Sequence, residues 1–248
     1  MDSRFEGLVA LVTGAGSGIG QAVALRLLAE GASVFGVDVD GDRLRSTEAL
    51  ASRKFAMLEA DLGDPEICRG VVGACVAEFG GLDVVGNVAG IFRAHHVVDV
   101  TPAEYHRIMA VNIDAYFFLA QAAIPHLLER NGNIVNVASN SALQGIPYAV
   151  PYAISKGGVV QLTRALAVEF LKRPLRVNAI APAGTNTNIA TAATFPDDLD
   201  LDLLSRMAGV RGLAEPEEVA GVFAFLASNE AKSVTGAVYT IDNGLTVS

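Results

Sequence analysis

Tyr152 and Lys156 are the residues of this chain whose types and spacing could do chemistry. Four residues apart on a helix, their side chains lie on one face and can reach one small site. An ammonium beside a phenol favours the phenolate, so we expect Lys156 to lower the pKa of Tyr152 towards neutral pH. Such a tyrosine can act as a general acid or base. Because ordinary surface pairs share this spacing, the surrounding elements must decide between the two interpretations.

A glycine-rich segment near the N-terminus predicts a phosphate site. The apolar run 8–12 predicts a buried strand, residues 13–20 read TGAGSGIG, and an amphipathic helical pattern then continues to Gly31. Glycines let the backbone approach a pyrophosphate, and the helix N-terminus supplies free N–H groups. A glycine turn without a ligand is the alternative, which the strand–loop–helix context disfavours.

Asp38 ends the second predicted strand, 33–37. An acid about 20 residues beyond the glycines can accept hydrogen bonds from an adenosine ribose, and it would repel a 2′-phosphate. The nearest basic residues, Arg43 and Arg45, fall one to two helical turns further on. The sequence therefore favours NAD over NADP. Alternatively, or in addition, Asp38 caps the predicted helix 40–51.

The remaining pattern alternates strands and helices to the end of the chain. Strands are predicted at 55–60, 82–87, 133–138, 176–181 and 238–241, with helices opening near Pro65, Thr101, Tyr152 and Glu215. This predicts one α/β domain over 1–248, a doubly wound Rossmann fold with a mostly seven-stranded parallel sheet and helices on both faces. The polar stretch 183–214 is long for a connection, so a substrate lid is expected at about 188–210.

Asn112 falls in the middle of the predicted helix that follows Thr101. Asparagine is unfavourable inside a helix, because its side chain competes for backbone hydrogen bonds. Either a local distortion exposes backbone groups to an active-site water, or the amide is simply tolerated. The residue alone does not separate these two interpretations.

Composition narrows the classes of partner and location. The net charge of −9 argues against binding to nucleic acid or to an anionic membrane. No apolar run approaches the ~20 residues of a membrane span, and the first residues do not resemble a signal peptide, so a cytoplasmic location is expected. Cys68 and Cys75 are expected to be small buried hydrophobes in a helix, too far apart for a disulfide. Four scattered histidines do not predict a catalytic metal.

Over nearly its whole length the chain resembles the short-chain dehydrogenase/reductases. The matching features are the 13–20 glycine pattern, Asp61, the 87–90 segment (NVAG), Asn112, Ser139, Tyr152 with Lys156, and Pro182 with Thr187. Two positions depart from the family pattern. Val88 stands where a second asparagine is common, and Ala183 stands where glycine commonly follows the proline.

The resemblance implies a role for each matching residue. Tyr152 would be the acid/base, Lys156 would lower its pKa and bind the nicotinamide ribose, and Ser139 would hold the substrate oxygen. Asn112 would fix a water in a proton relay. The family spacing to Tyr152 selects Ser139 rather than Ser141. The implied cofactor contacts are Gly14, Ser17, Gly18 and Ile19 at the pyrophosphate, Asp38 at the adenosine ribose, Asp61 and Leu62 at the adenine, Asn87 and Ala89 at the middle, and Pro182, Thr185 and Thr187 at the nicotinamide end.

Together these features predict an NAD-dependent oxidoreductase that interconverts a secondary alcohol and a ketone. A carbonyl or 3-oxoacyl-thioester reductase, or a non-catalytic nicotinamide-binding sensor, are the alternatives. The expected substrate is small, uncharged and mainly apolar, because the predicted pocket includes Ile91, Phe92, Leu143, Ile146 and Tyr148. His95 and His96 are expected to face solvent. The resemblance implies a homotetramer, and helices 102–130 and 152–171 are apolar on more than one side, including residues 116–119.

Overall fold

The computed structural model describes residues 3–52, 54–187, 195–205, 207 and 211–247. Its seven strands are Val9–Thr13 (β1), Ser33–Asp38 (β2), Phe55–Glu59 (β3), Val84–Asn87 (β4), Asn133–Val137 (β5), Arg176–Pro182 (β6) and Val238–Ile241 (β7). They form one parallel sheet in the order β3-β2-β1-β4-β5-β6-β7. From β1 the chain adds strands on one side of the sheet, and from β4 it adds them on the other side. Sheets of this kind bind ligands at the point where the strand order switches, here between β1 and β4. The predicted fold is confirmed.

Helices cover both faces of the sheet and bury two cores. The helices are Gly18–Ala29 (α1), Gly41–Leu50 (α2), Pro65–Phe79 (α3), Pro102–Met109 (α4), Ala115–Arg130 (α5), Val150–Glu169 (α6), Leu201–Ser205 (α7) and Pro216–Ala227 (α8). On one face α1, α2 and α8 pack through residues such as Leu27, Leu44 and Phe223. On the other face α3, α5 and α6 pack through residues such as Val71, Leu119 and Val159. The buried strands read as continuous apolar runs for this reason.

Side-chain caps fix where several helices begin. Thr101 and Glu104 form a reciprocal capping box at α4, and Asp64 accepts the N–H of Glu66 at α3. At α2 the cap is Asp40, whose carboxylate accepts the N–H groups of Asp42 and Arg43. The alternative that Asp38 caps this helix is therefore wrong, and the Asp38 carboxylate is left for other contacts.

The longest helical stretch runs from Pro102 to Arg130 and is apolar. The helix 102–130 was predicted from the sequence, but by length and composition alone it could cross a membrane, whereas no apolar stretch of that length was expected. Half of its most apolar window is buried inside the protein, and Leu119 and Leu127 are fully buried in the core. A core helix of a sheet protein has the same length and composition. Cys68 and Cys75 lie buried in α3 as free thiols, as expected.

Candidate active site

The carboxyl ends of the central strands surround a cavity of about 270 Å³. The glycine loop after β1 and the segments after β4, β5 and β6 form its walls, and α6 forms its floor. Its lining comprises Ile19, Val88, Gly90, Phe92, Val137, Ala138, Ser139, Asn140, Ile146, Tyr152, Lys156, Pro182, Ala183, Gly184, Thr185, Thr187, Phe195 and Met207. Most of this surface is apolar. Among the lining residues described, Lys156 and Tyr152 are the only ones with titratable side chains.

The glycine loop between β1 and α1 lies very close to the segment after β4. Gly14 has a φ of 68°, and a Cβ there would come within 3.0 Å of the Cα of Ala89. Only glycine combines that conformation with so close an approach. The Thr13 hydroxyl connects the same two segments, accepting the N–H groups of Val88 and Ala89 at 2.9 and 3.0 Å. Ser17 is the N-cap residue of α1, so this helix directs its free N–H groups at the loop.

Asp38 lies at the end of β2 beside the same loop. Its carboxylate accepts the N–H of Gly16 at 2.9 Å and that of Asp40 at 3.1 Å. The nearby Arg43 guanidinium pairs with Asp40 at 3.1 Å instead of with Asp38. The negative charge of Asp38 is therefore not neutralised by a direct ion pair with this arginine.

The predicted adenine and mid-cofactor residues also follow the ends of strands. The Asp61 carboxylate, after β3, contacts Arg107 at 3.0 Å and accepts the N–H of Gly63 at 3.0 Å. These contacts hold its pKa below the ordinary value, against the opposing effect of burial. Leu62 packs in the core, and the Asn87 amide donates to Asn136 inside the sheet. Since both side chains are buried, only the main chain at these two positions can be offered to a ligand.

Ser139 and Tyr152 meet at the inner end of the cavity. Ser139 follows β5 and is nearly buried, while Tyr152 lies in the first turn of α6. The Ser139 hydroxyl donates to the Asn140 side-chain oxygen and accepts the N–H of Ser141, both at 3.2 Å. It lies near enough to the Tyr152 phenol to lower the pKa of that group. The structure thus brings Ser139, and not Ser141, to the phenol.

Lys156 points into the same site, but its amine is held by other groups. The Nζ atom donates to the carbonyl of Val137 at 2.8 Å and to the Tyr116 hydroxyl at 3.4 Å. It lies 5.9 Å from the centroid of the Tyr152 ring. Burial lowers the pKa of Lys156 to about 7.

The pKa of Tyr152 differs from the expectation. Burial raises it above the ordinary value, and the nearby Ser139 hydroxyl opposes that rise. The predicted lowering by Lys156 is wrong for this structure, because the ammonium is bound to the Val137 carbonyl and loses part of its charge by burial.

Asn112 lies in a single π-helical turn, Ala110–Asp114, between α4 and α5. Of the two interpretations that the sequence left open, the local distortion is the one present. Its side-chain oxygen accepts the N–H of Ile91 at 2.8 Å, and its amide donates to the Ile91 carbonyl at 3.0 Å and to Ser155 at 3.1 Å. A Cβ on Gly90 would lie 3.4 Å from both this oxygen and Lys156 Nζ, so glycine keeps that space open.

Aromatic side chains form the outer wall. The Phe92 ring lies edge-on to Tyr152 at 5.1 Å and tilted against Phe195 at 6.2 Å. Phe195 belongs to the predicted lid, of which residues 188–194, 206 and 208–210 lie outside the described residues. His95 and His96 are not simply solvent-facing as expected. They pair with Glu104 at 3.1 Å and Asp198 at 2.9 Å.

Tyr116 is a functional candidate that the sequence analysis missed. It was expected in an apolar surface between subunits, yet it is 1% exposed and faces the site. Its hydroxyl donates to the carbonyls of Ala89 and Val137, at 3.0 and 3.2 Å, and accepts from Lys156. The signal was its position one helical turn after Asn112, on the same face of the helix.

A doubly wound parallel sheet, a glycine loop at a helix N-terminus and a Ser–Tyr–Lys group at the strand ends define an oxidoreductase of the dinucleotide-binding class. A family model described as enoyl-(acyl carrier protein) reductase matches residues 14–246. Together with the relatives below, this match shows that the chain belongs to the short-chain dehydrogenase/reductase family.

Individual relatives match almost end to end. A meso-2,3-butanediol dehydrogenase from Serratia marcescens is 37% identical over 246 residues, which cover 99% of this chain and 97% of the relative. A 3-oxoacyl-(acyl-carrier-protein) reductase from Thermotoga maritima is 37% identical over 249 residues, covering 98% and 100%. The crystal structure of a short-chain dehydrogenase from Mycobacterium paratuberculosis bound to NAD matches with a TM-score of 0.90 at 30% identity, covering 98% and 99%.

Proposed function

We propose that this protein is an NAD-dependent oxidoreductase that interconverts a small, mainly apolar secondary alcohol and its ketone. The observation that carries the proposal is that Ser139, Tyr152 and buried Lys156 line one apolar cavity at the strand ends. The butanediol dehydrogenase relative acts on a small alcohol, which agrees with the size and lining of this cavity.

The residues at the strand ends fit a nicotinamide dinucleotide. Gly90 leaves space that a Cβ would fill, Gly14 lets the glycine loop approach the segment after β4, and the N-terminus of α1 suits a pyrophosphate. Asp38 offers carboxylate oxygens to ribose hydroxyls, and its charge would repel a 2′-phosphate. The NAD-bound structure that matches this chain supports the same choice of cofactor.

The residues of this chain would bind and orient the substrate and move the proton of its hydroxyl group. When bound, the nicotinamide supplies the hydride acceptor or donor. In alcohol oxidation, Tyr152 as phenolate removes the proton of the substrate hydroxyl, and Ser139 donates a hydrogen bond to the same oxygen. Because burial raises the pKa of Tyr152, we expect the rate of oxidation to increase with pH, while ketone reduction is favoured at lower pH.

A 3-oxoacyl-thioester reductase is the second candidate, supported by the Thermotoga maritima relative. That substrate is long and is carried by an anionic arm, so its binding calls for an open, basic entrance. The net charge of −9 and the aromatic wall of Phe92 and Phe195 favour the small alcohol. The two candidates share Ser139 and Tyr152, and they differ in what occupies the outer cavity.

The test is turnover measured at the absorbance band of reduced nicotinamide. The purified protein is supplied with NAD and a panel of small secondary alcohols, and separately with NADH and an acetoacetyl thioester. We expect oxidation of at least one alcohol, reduced ~10²–10⁴-fold in Tyr152→Phe. Tyr239→Phe, on β7 away from the cavity, is the matched control and should retain wild-type turnover.

Cofactor binding without turnover of any substrate would indicate the sensor instead. Turnover of the thioester alone would indicate the reductase. Activity of Tyr152→Phe within a few-fold of wild type would remove the assignment of Tyr152 as the acid/base.

A further inference from the structure

Tyr148 has an unusual backbone conformation beside the active site. It lies in the loop before α6 with a φ of 61°, in the left-handed region. Bulky residues rarely adopt this conformation, which is strained for any residue with a Cβ. Such strain persists only where surrounding contacts hold the residue in place. The contacts of Tyr148 are therefore the place to look for its role.

One set of contacts reaches the loop after β4. The Tyr148 carbonyl accepts the N–H of His95 at 2.7 Å. Its ring meets the His96 imidazole edge-on, with the ring centroids 5.2 Å apart. The same loop carries Phe92, which packs on Tyr152. Tyr148 is thus fixed to the wall that holds the acid/base residue.

A second set of contacts reaches the segment 195–205. The Tyr148 hydroxyl accepts the N–H of Asp200 at 2.6 Å. Asp200 in turn accepts the N–H groups of Asp202 and Leu203, at 2.8 and 3.1 Å, and so begins α7. A hydrogen bond at this point therefore fixes the start of a helix and not a free loop end.

Two further contacts join the same segment to the loop after β4. Asp198 pairs with His96 at 2.9 Å, and Phe195 packs against Phe92. The first half of the segment is thus attached at Phe195, Asp198 and Asp200. Tyr148 contacts both this segment and the loop after β4. The cavity behind it contains about 270 Å³, which suits a small molecule.

We propose that Tyr148 is a positioning residue that latches the segment 195–205 over the outer end of the cavity. Its hydroxyl holds Asp200, its ring supports His96, and the closed segment places Phe195 against Phe92. The latch limits the cavity to small substrates and excludes water from Tyr152 during proton transfer. The consequence for substrates rests on the proposed function, whereas the latch itself does not.

The direct test is amide hydrogen–deuterium exchange of peptides covering 195–205, in the protein alone. Tyr148→Phe keeps the ring and removes only the hydroxyl that accepts from Asp200. We expect exchange at this segment to become about three- to tenfold faster, the usual effect of losing one hydrogen bond. Tyr239→Phe is the control and should exchange as wild type does. Equal exchange in Tyr148→Phe and wild type would overturn the proposal.

A second variant separates the latch from a general structural role. Tyr148→Gly suits the left-handed backbone but removes both ring and hydroxyl. We expect its melting temperature to stay close to that of wild type, because relief of the strain offsets the lost contacts, while its 195–205 segment exchanges faster. A lowered melting temperature with unchanged exchange of the segment would show that Tyr148 supports the fold and does not latch the lid.

Kinetics then connects the latch to specificity. With a small secondary alcohol, Tyr148→Phe should raise KM for the alcohol about three- to tenfold and leave KM for NAD unchanged. In this variant, kcat/KM for bulkier alcohols should increase relative to kcat/KM for small ones. Faster exchange in a protein that oxidises no alcohol would support the latch and refute the proposed function. Alcohol turnover by the protein, with exchange unchanged in Tyr148→Phe, would support the proposed function and refute the latch.

Discussion

At the scale of single residues, Lys156 is a buried amine held by two neutral groups. The Val137 carbonyl and the Tyr116 hydroxyl accept its hydrogen bonds, and burial lowers its pKa from 10.5 to about 7. The unfolded chain therefore binds more protons at this amine than the folded protein between pH about 7 and 10.5. The penalty of holding the buried charge is fully present below pH about 7 and disappears as pH rises through that window.

The expected outcome is that Lys156→Met stabilises the cofactor-free protein at pH 6. Methionine has a similar length and carries no charge, so the variant avoids the desolvation penalty. Each kcal/mol gained would raise the melting temperature by about 2–4 °C for a chain of this size. The gain should shrink towards pH 10, where wild-type Lys156 is neutral in the folded state.

Thermal melts of both proteins across pH 6–10 provide the measurement. Lys172→Met, at an exposed position after α6, is the matched control and should show no such pH dependence. A difference between Lys156→Met and wild type that is independent of pH would show that the amine stays protonated in the folded protein.

Asp38 is the second residue with a distinct electrostatic consequence. Its carboxylate is hydrogen-bonded to Gly16 and Asp40, and Arg43 pairs elsewhere. We expect wild type to bind NADH more tightly than NADPH. Asp38→Asn keeps the size and one acceptor oxygen but removes the charge, so the preference should fall by about tenfold, or ~1.4 kcal/mol.

Fluorescence titration of NADH and NADPH measures this preference. Asp42→Asn removes a charge two positions beyond Asp40, at an exposed site, and should leave the ratio unchanged. Tighter binding of NADPH by wild type would mean that Arg43 or another basic group reaches the 2′-position. The case for NAD would then fail.

At the scale of elements, patterns among neighbouring residues predicted most of the strands and helices. The apolar strands, the Thr101 capping box and the glycine loop each follow from neighbouring residues, and each is present. Contacts between distant segments were not predictable in the same way. The amine of Lys156 is directed by Val137 and Tyr116, which lie on other elements. Pairing of His96 with Asp198 likewise depends on a loop path that no local pattern encodes.

The π turn Ala110–Asp114 contains Asn112, the residue whose type is unfavourable inside a regular helix. Asn112 occupies it and satisfies both backbone groups of Ile91, in the segment that leads to Phe92. π turns are frequent at functional sites. Here the turn couples the long helix Pro102–Arg130 to the wall of the cavity.

Removing this coupling should destabilise the protein and reduce its activity. Asn112→Ala leaves the N–H and the carbonyl of Ile91 without these partners, which costs roughly 1–3 kcal/mol. We expect a lower melting temperature and a lower kcat for the best alcohol. Gln121→Ala, at an exposed position on α5, is the control for helix effects and should change neither. An unchanged melting temperature in Asn112→Ala would show that water or another group replaces the amide.

At the scale of the whole molecule, α5 and the end of α6 leave apolar side chains in solvent. Phe117 is 44% exposed, Val168 72% and Leu171 66%. Exposed apolar groups of this size on helices often mark a contact between subunits. Tyr152 and Lys156 lie on α6, and Asn112 lies in the π turn that leads into α5. Subunit contacts on these helices would therefore stiffen the elements that position the site.

We therefore expect the protein to sediment as an oligomer at micromolar concentration, with a tetramer as the specific expectation. The double variant Phe117→Glu with Val168→Glu places charges on these two faces, and burying them would cost several kcal/mol. It should sediment as a smaller species with wild-type helical content. Leu50→Glu is the control, because Leu50 is 63% exposed at the end of α2 on the other side of the sheet. A wild-type monomer would refute the expectation, and an unchanged oligomer in the double variant would place the subunit contact elsewhere.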